Sequence, residues 1–184
     1  QVIPGNKSEL IWTDFHPFES VPQILNPSSG YIFSTNQNPF FVTAKEDNLS
    51  LSNFNPTMGF QTRTTNRAYR AYELLDADKS ISFSELDKYK HDNRFSYNSR
   101  QYKFMEEIFN HEFSENKLKN AQKFLRDWDL ATDTNNLHAA FGVCILSPEW
   151  LAEITRKLRP DPIEIFINCV DEFEKNFGEL SVKW

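Results

Sequence analysis

A mainly α fold with a few N-terminal strands is predicted by three features of these 184 residues. First, Pro4, Pro17, Pro22, Pro27, Pro39 and Pro56, out of nine prolines in all, punctuate the early part of the chain. Apolar residues there come in short bursts such as Leu10-Ile11-Trp12 and Tyr31-Ile32-Phe33, the pattern of short strands separated by turns. Second, from Asn66 onward the apolar spacing becomes that of helices. Third, 17 phenylalanines and 4 tryptophans supply the large side chains a sizeable core requires. The reading is a strand-and-turn segment over 1–65 and a helical segment over 66–184. At 21.6 kDa they are expected to share one structural unit.

Within the first segment, Asn26-Pro27-Ser28-Ser29-Gly30 is a turn signal. Proline sets φ and glycine tolerates positive φ, so a strand is expected from Tyr31. Ala68, Ala71, Leu74 and Leu75 share one face of a first helix. Ser82 and Glu85 have the spacing of a capping box and start a second. Tyr102, Met105, Phe109 and Phe113 mark a third, and Leu118, Ala121, Leu125 and Trp128 a fourth. After a polar linker, Thr132 to Asn136, comes the apolar run Leu137 to Leu146. Ser147-Pro148 then reads as an N-cap and first helical position, opening a helix through Leu158. In the last helix Asp161 caps, Pro162 follows, Ile163, Phe166, Ile167, Val170, Phe173 and Phe177 form an apolar stripe, and Gly178 ends it.

Composition narrows the function. A formal net charge of -6 and the lack of any run of basic residues speak against nucleic acid as a partner. No apolar run approaches the length needed to span a membrane, and Gln1 to Leu10 lacks the pattern of a signal peptide. Cys144 and Cys169 have no metal-ligand spacing with the four histidines. They read as buried core thiols, with pairing in an oxidising compartment open if their helices adjoin.

Two motifs dissolve on inspection. Asp76 to Glu85 begins like an EF-hand calcium loop, but Ile81 stands where the loop needs glycine and Asp87 where it needs a bidentate glutamate. A helix-turn-helix link capped by Ser82 accounts for the same residues. His111-Glu112 starts like a zinc-protease signature, yet Glu115 occupies the second histidine's position.

The order Trp12, His16-Pro17-Phe18, Val21-Pro22-Gln23, Asn26-Pro27, Ser29-Gly30-Tyr31-Ile32, Asn36 and Pro39 is more specific. It resembles the penicillin amidase superfamily, in which a tryptophan, a proline-aromatic segment and an Asn-Pro-x-Ser-Gly-aromatic turn lead into a strand ending in Asn-x-x-Pro. Met58 to Ala68 looks closest to the branch containing acyl-homoserine-lactone acylases. Weaker likeness continues through Ser80-Ile81-Ser82, Tyr89-Lys90, Leu125 to Asp129 and Asn176-Phe177-Gly178.

The resemblance implies an N-terminal-nucleophile hydrolase with an αββα fold and no organic cofactor. A precursor cleaves itself to expose a serine whose α-amine is the general base. Asn36 matches the asparagine whose amide stabilises the oxyanion, and Arg63 matches an arginine that orients the nucleophile's surroundings. The family aspartate that holds calcium in some relatives falls where this chain has Leu51-Ser52-Asn53, so the metal is not carried over. Gln1 cannot be the nucleophile. The expectation is therefore an internal piece of the nucleophile-bearing (β) subunit, inert alone. Its partners would be the remaining segments of the same acylase, its substrate an N-acyl small molecule, and its parent periplasmic or extracellular. The competing expectation is a non-catalytic helical interaction module carrying a degenerate EF-hand-like loop.

Overall fold

The computed structural model describes residues 4–183. Six α-helices carry the architecture: α1 (Asn66–Ala77), α2 (Phe83–Lys90), α3 (Arg100–Phe109), α4 (Asn116–Arg126), α5 (Ala139–Ile154) and α6 (Pro162–Phe177). Before α1 the chain is irregular, with 3-10 turns at Ser8–Leu10, Phe18–Ser20, Lys45–Asp47, Leu51–Asn53 and Pro56–Met58.

Helices α3, α5 and α6 pack on one another, and α4 closes against α3 and α6. Their shared interior holds Phe104, Met105 and Ile108 from α3, Phe141, Ile145 and Leu146 from α5, and Phe166 and Val170 from α6, all essentially buried. Each such side chain contributes about 1.5–3 kcal/mol through removal of apolar surface from water. Edge-to-face contacts of Phe141 with Phe166 (6.1 Å) and Phe173 (5.3 Å) order the aromatic part of this core.

Local signals set most helix ends. The Ser82 side chain accepts from the Glu85 backbone N–H, and Glu85 reaches back to the Ser82 N–H at 2.8 Å, completing the expected capping box of α2. Asp161 accepts from the backbone N–H groups of Ile163 and Glu164, and Gly178 closes α6 at φ 75°. α3 stops at Phe109, and Phe113 joins the core from the following loop; Trp128 does the same after α4.

Three expectations are corrected. The predicted N-terminal strands, and with them the αββα arrangement, are not found. Among the described residues no strand or sheet exists, only an isolated antiparallel bridge between Arg94 and Ala131. A strand needs a ladder partner, and the burst from Tyr31 to Phe33 makes one backbone bond to another stretch of chain, Phe33 N–H to the Val42 carbonyl at 2.9 Å. Side-chain amides take over from a ladder. Asn38 Nδ2 donates to the carbonyls of Thr62 (3.1 Å) and Arg63 (3.0 Å), and Gln37 Nε2 to those of Phe33 and Phe41 (both 3.1 Å). Asn48 accepts from the N–H groups of Val42 (2.8 Å) and Thr43 (3.2 Å). Of the apolar bursts, Phe33 packs on Tyr31 (6.4 Å) and Phe41 (6.0 Å), while Leu10, Ile11, Trp12 and Ile32 stay exposed; a separate aromatic cluster forms from Phe40, Phe54 and Phe60, with centroids 5.6–5.7 Å apart.

The second correction concerns Ser147-Pro148, which starts no helix. α5 runs through it, and the Ser147 hydroxyl donates to the Val143 carbonyl at 2.7 Å. The tightly buried flanks Leu146 and Glu149 outweigh the hydrogen bond that Pro148 cannot donate. Third, Cys144 and Cys169 are not free core thiols: α5 and α6 adjoin and a disulfide joins them, with Cα atoms 6.3 Å apart.

Arg70 and Asp92 tie α1 to the chain after α2. Arg70 Nε and a terminal nitrogen donate to the two Asp92 oxygens (2.9 and 2.8 Å), and its other terminal nitrogen to Glu73 at 2.7 Å. Burial disfavours the Asp92 charge, but the Arg70 hydrogen bonds and the Arg94 N–H outweigh it and hold the carboxyl below its usual range. A depressed carboxylate stabilises the fold above its unfolded pKa and loses that contribution as pH falls through the folded value. Asp92→Asn is therefore expected to lower unfolding free energy by about 1.5–3 kcal/mol at pH 7. In urea titrations the gap from wild type should close as the pH drops below about 3.9. A gap that persists unchanged in acid would contradict this assignment.

A methyl group added at Gly142 would overlap Cζ3, Cε3 and Cη2 of Trp128. That indole is held by its Nε1–H bond to the Ala131 carbonyl (2.8 Å) and by Phe95 at 5.8 Å. Gly142→Ala should thus cost about 1–3 kcal/mol by overpacking, read as a lowered denaturation midpoint with altered tryptophan fluorescence.

Candidate functional site

Asn36 occupies a turn and adopts φ 61°, a left-handed conformation that asparagine tolerates better than most residues. Gln37 Oε1 accepts from both the N–H and the hydroxyl of Thr35 just before it, which tightens the turn. The Asn36 side chain is exposed, and its Oδ1 accepts a hydrogen bond from a terminal nitrogen of Arg67 at 3.0 Å. The surrounding cleft, of about 680 Å3, is lined by Asn36, Arg67 and Arg70 on one side and Asp92, Asn93 and Arg94 on the other.

Arg63 lies in a second cleft of about 780 Å3, whose apolar wall includes Val143, Leu146 and Trp150 of α5. Its Nε lies 3.5 Å from Glu153. Glu153 also meets Arg100 at 2.8 Å, and Arg100 Nε sits 2.5 Å from Glu149. The result is an alternating row of charges, Arg63, Glu153, Arg100 and Glu149, joining the irregular N-terminal region to α3 and α5. Glu149 is 1 % exposed and its second oxygen has no protein partner, so its negative charge depends heavily on Arg100.

Asn36 and Arg63 thus open into different clefts, while Arg67 lines both. Sequence reading missed Arg67, Arg100, Glu149 and Glu153. For Arg67 a signal was present. Thr65 caps α1 through its side chain, which accepts from the Ala68 N–H at 3.2 Å and puts Arg67 in the first helical turn. A cation there opposes the positive end of the helix dipole, and such a local violation points to a tertiary role. Nothing local announces the Arg63 row, because its members come from three distant segments.

Three threonine hydroxyls at the clefts are engaged by protein groups: Thr35 with Gln37 (2.9 Å), Thr64 with Asn38 (3.0 Å) and Thr132 with the Asn93 carbonyl (2.8 Å). Gln1, read above as unable to act as nucleophile, lies outside the described residues.

The Asp76 to Glu85 region is a helix-turn-helix link. Asp78 accepts from the Ser80 N–H (2.9 Å) and the Tyr89 hydroxyl (2.7 Å), and Asp76 accepts from the Tyr31 hydroxyl at 3.2 Å. The hydrogen bond to Asp78 pushes the Tyr89 phenol up to about 12, and burial, aided by Asp76, raises Tyr31. Among the described residues no three metal-ligating side chains converge.

The family model for penicillin amidase matches residues 1–180, and the chain belongs to the penicillin amidase family.

Proposed function

We propose that this chain is the oxyanion-binding part of an N-acyl amide hydrolase, with the nucleophile supplied by polypeptide outside these 184 residues. The family match over residues 1–180 carries the reading. In the reaction a nucleophilic hydroxyl attacks the acyl carbonyl, giving up its proton to a base. Negative charge develops on the carbonyl oxygen, the amine leaves protonated, and water then hydrolyses the acyl-enzyme ester. Asn36 contributes a side-chain N–H to the oxyanion. A neutral amide donates there without the desolvation cost of a buried cation. Arg63 shapes the surroundings of the nucleophile through its hydrogen-bonding edge. The stretch Met58 to Ala68 favours an acyl-homoserine-lactone acylase-like branch.

Other segments of the same acylase are the proposed partners. Trp12, Phe15, Phe18 and Leu25 are 71–95 % exposed, an apolar surface of the kind that another polypeptide covers. The disulfide between Cys144 and Cys169 supports a periplasmic or extracellular location, where such bonds persist.

The 184-residue chain alone is expected to hydrolyse no N-acyl amide. Reproducible turnover by the purified chain, abolished in Asn36→Ala, would place the nucleophile within it instead. In the self-processed parent enzyme, Asn36→Ala should lower kcat by roughly 10²–10³, as when one oxyanion donor is removed. KM should change less, because the charge exists in the transition state and hardly in the ground state. Since self-cleavage passes through a similar tetrahedral species, turnover is to be measured on enzyme shown to be processed. Wild-type kcat in that enzyme would reduce Asn36 to a turn residue.

A further inference from the structure

We propose that the end of α5 and the turn after it form a docking tip for an anionic lipid surface, a role separate from the oxyanion reading of Asn36. Helix α5 is apolar around its whole circumference, a pattern that belongs to a helix covered on every side. One side is covered, since Phe141, Ile145 and Ala152 are buried. The other is not. Trp150, Leu151 and Ile154 are neighbours at helical spacing on the outer side, and with Leu158 in the following turn they are 45–95 % exposed. Adjoining apolar side chains on the outer face of a helix mark a surface that something else covers.

The charges around this face decide what covers it. The chain carries a net charge of -6, yet its turn after α5 reads Arg156-Lys157-Leu158-Arg159. Arg159 is committed to Glu107 at 2.6 Å and lies over the Phe104 ring. Arg156 and Lys157 are exposed, and among the described residues no ion pair involves either. The nearby acids are engaged elsewhere, Glu153 with Arg63 and Arg100, and Asp161 with the N–H groups that open α6. Arg156 stands at φ 55°, and the turn closes through its N–H on the Glu153 carbonyl (3.1 Å) and the Lys157 N–H on the Ala152 carbonyl (2.9 Å). Glycine fits such a left-handed position best, but here a long cationic side chain occupies it. The helix dipole accounts for a cation at this end, not for the exposed Leu158 two residues on. Exposed tryptophan and leucine flanked by unpaired cations suit a bilayer boundary, where apolar side chains enter the acyl region and cations meet anionic headgroups. The N-terminal apolar surface at Trp12, Phe15 and Phe18 has the opposite fringe, Asp14 and Glu19, and suits polypeptide instead. Among the described residues no helix is long and apolar enough to cross a membrane, so the contact is one of surface and not of span.

The test is flotation of the 184-residue chain with vesicles of phosphatidylglycerol mixed equally with phosphatidylcholine, and with vesicles of phosphatidylcholine alone. The chain should bind the first, dissociate as salt is raised, and bind the second far more weakly. Arg156→Gln combined with Lys157→Gln should weaken binding roughly thirtyfold, about fivefold for each cation. Leu158→Ser should weaken it about tenfold through loss of the inserted side chain. All three side chains are exposed, so both variants should keep the wild-type denaturation midpoint, and the two sets test charge and insertion independently. Phe15→Ser with Phe18→Ser should leave binding unchanged, which separates the tip from the N-terminal surface. The self-processed parent enzyme should bind the same vesicles. A parent enzyme that ignores them would give this face to another segment of the acylase and overturn the lipid reading. Equal binding to uncharged vesicles, or binding that survives the tip variants and is lost with Phe15→Ser and Phe18→Ser, would overturn it as well.

Discussion

The structure depends on the burial of aromatic and branched side chains where α3, α5 and α6 meet. Phe104, Phe141 and Phe166 are each excluded from water, and Phe141 touches both Phe166 and Phe173. Apolar burial of this kind is the largest favourable contribution the chain possesses. The disulfide between α5 and α6 acts on the same pair of helices by limiting the unfolded chain. Once these helices are fixed, Trp128 fits against Gly142, because no other residue at that position leaves room for the indole.

The region before α1 has no comparable core and is attached by polar groups. Asn38, Gln37 and Asn48 satisfy backbone groups that a sheet would otherwise pair, and Arg63 reaches Glu153 on α5. Tyr31 is anchored to Asp76 at the far end of α1. Side-chain hydrogen bonds are directional, so they can hold a single turn in a left-handed conformation, as at Asn36, where non-directional apolar packing could not. A site built on such a turn is as well ordered as the amides around it.

Within the candidate site, charge is distributed unevenly. Arg70 is committed to Asp92 and Glu73, and Arg100 to Glu149 and Glu153, leaving those groups mainly structural. Asn36 and Arg67 meet instead as a neutral amide and a cation, the Asn36 oxygen accepting from Arg67 at 3.0 Å. In the proposed oxyanion role, a donor fixed before charge develops needs no reorganisation during reaction.

Much of the helical part was readable in the sequence, since helix ends are written locally. Ser82 with Glu85, Asp161 with Pro162, and Gly178 act within four residues of themselves, and the structure uses each of them. The motif order from Trp12 to Pro39 likewise pointed to the family that the match over residues 1–180 shows. What only the tertiary structure decided depended on residues far apart along the chain. The apolar burst at Tyr31 suggested a strand, but a strand exists only where another segment completes its ladder, and here side-chain amides take the backbone groups instead. Ser147-Pro148 had every local mark of a helix start, yet packing on both sides carries α5 through it. Whether Cys144 and Cys169 would meet, and which group would hold Asn36, were equally beyond a local pattern. Pairing of this kind is set by the crossing of helices and the closure of loops, which no short window of sequence encodes.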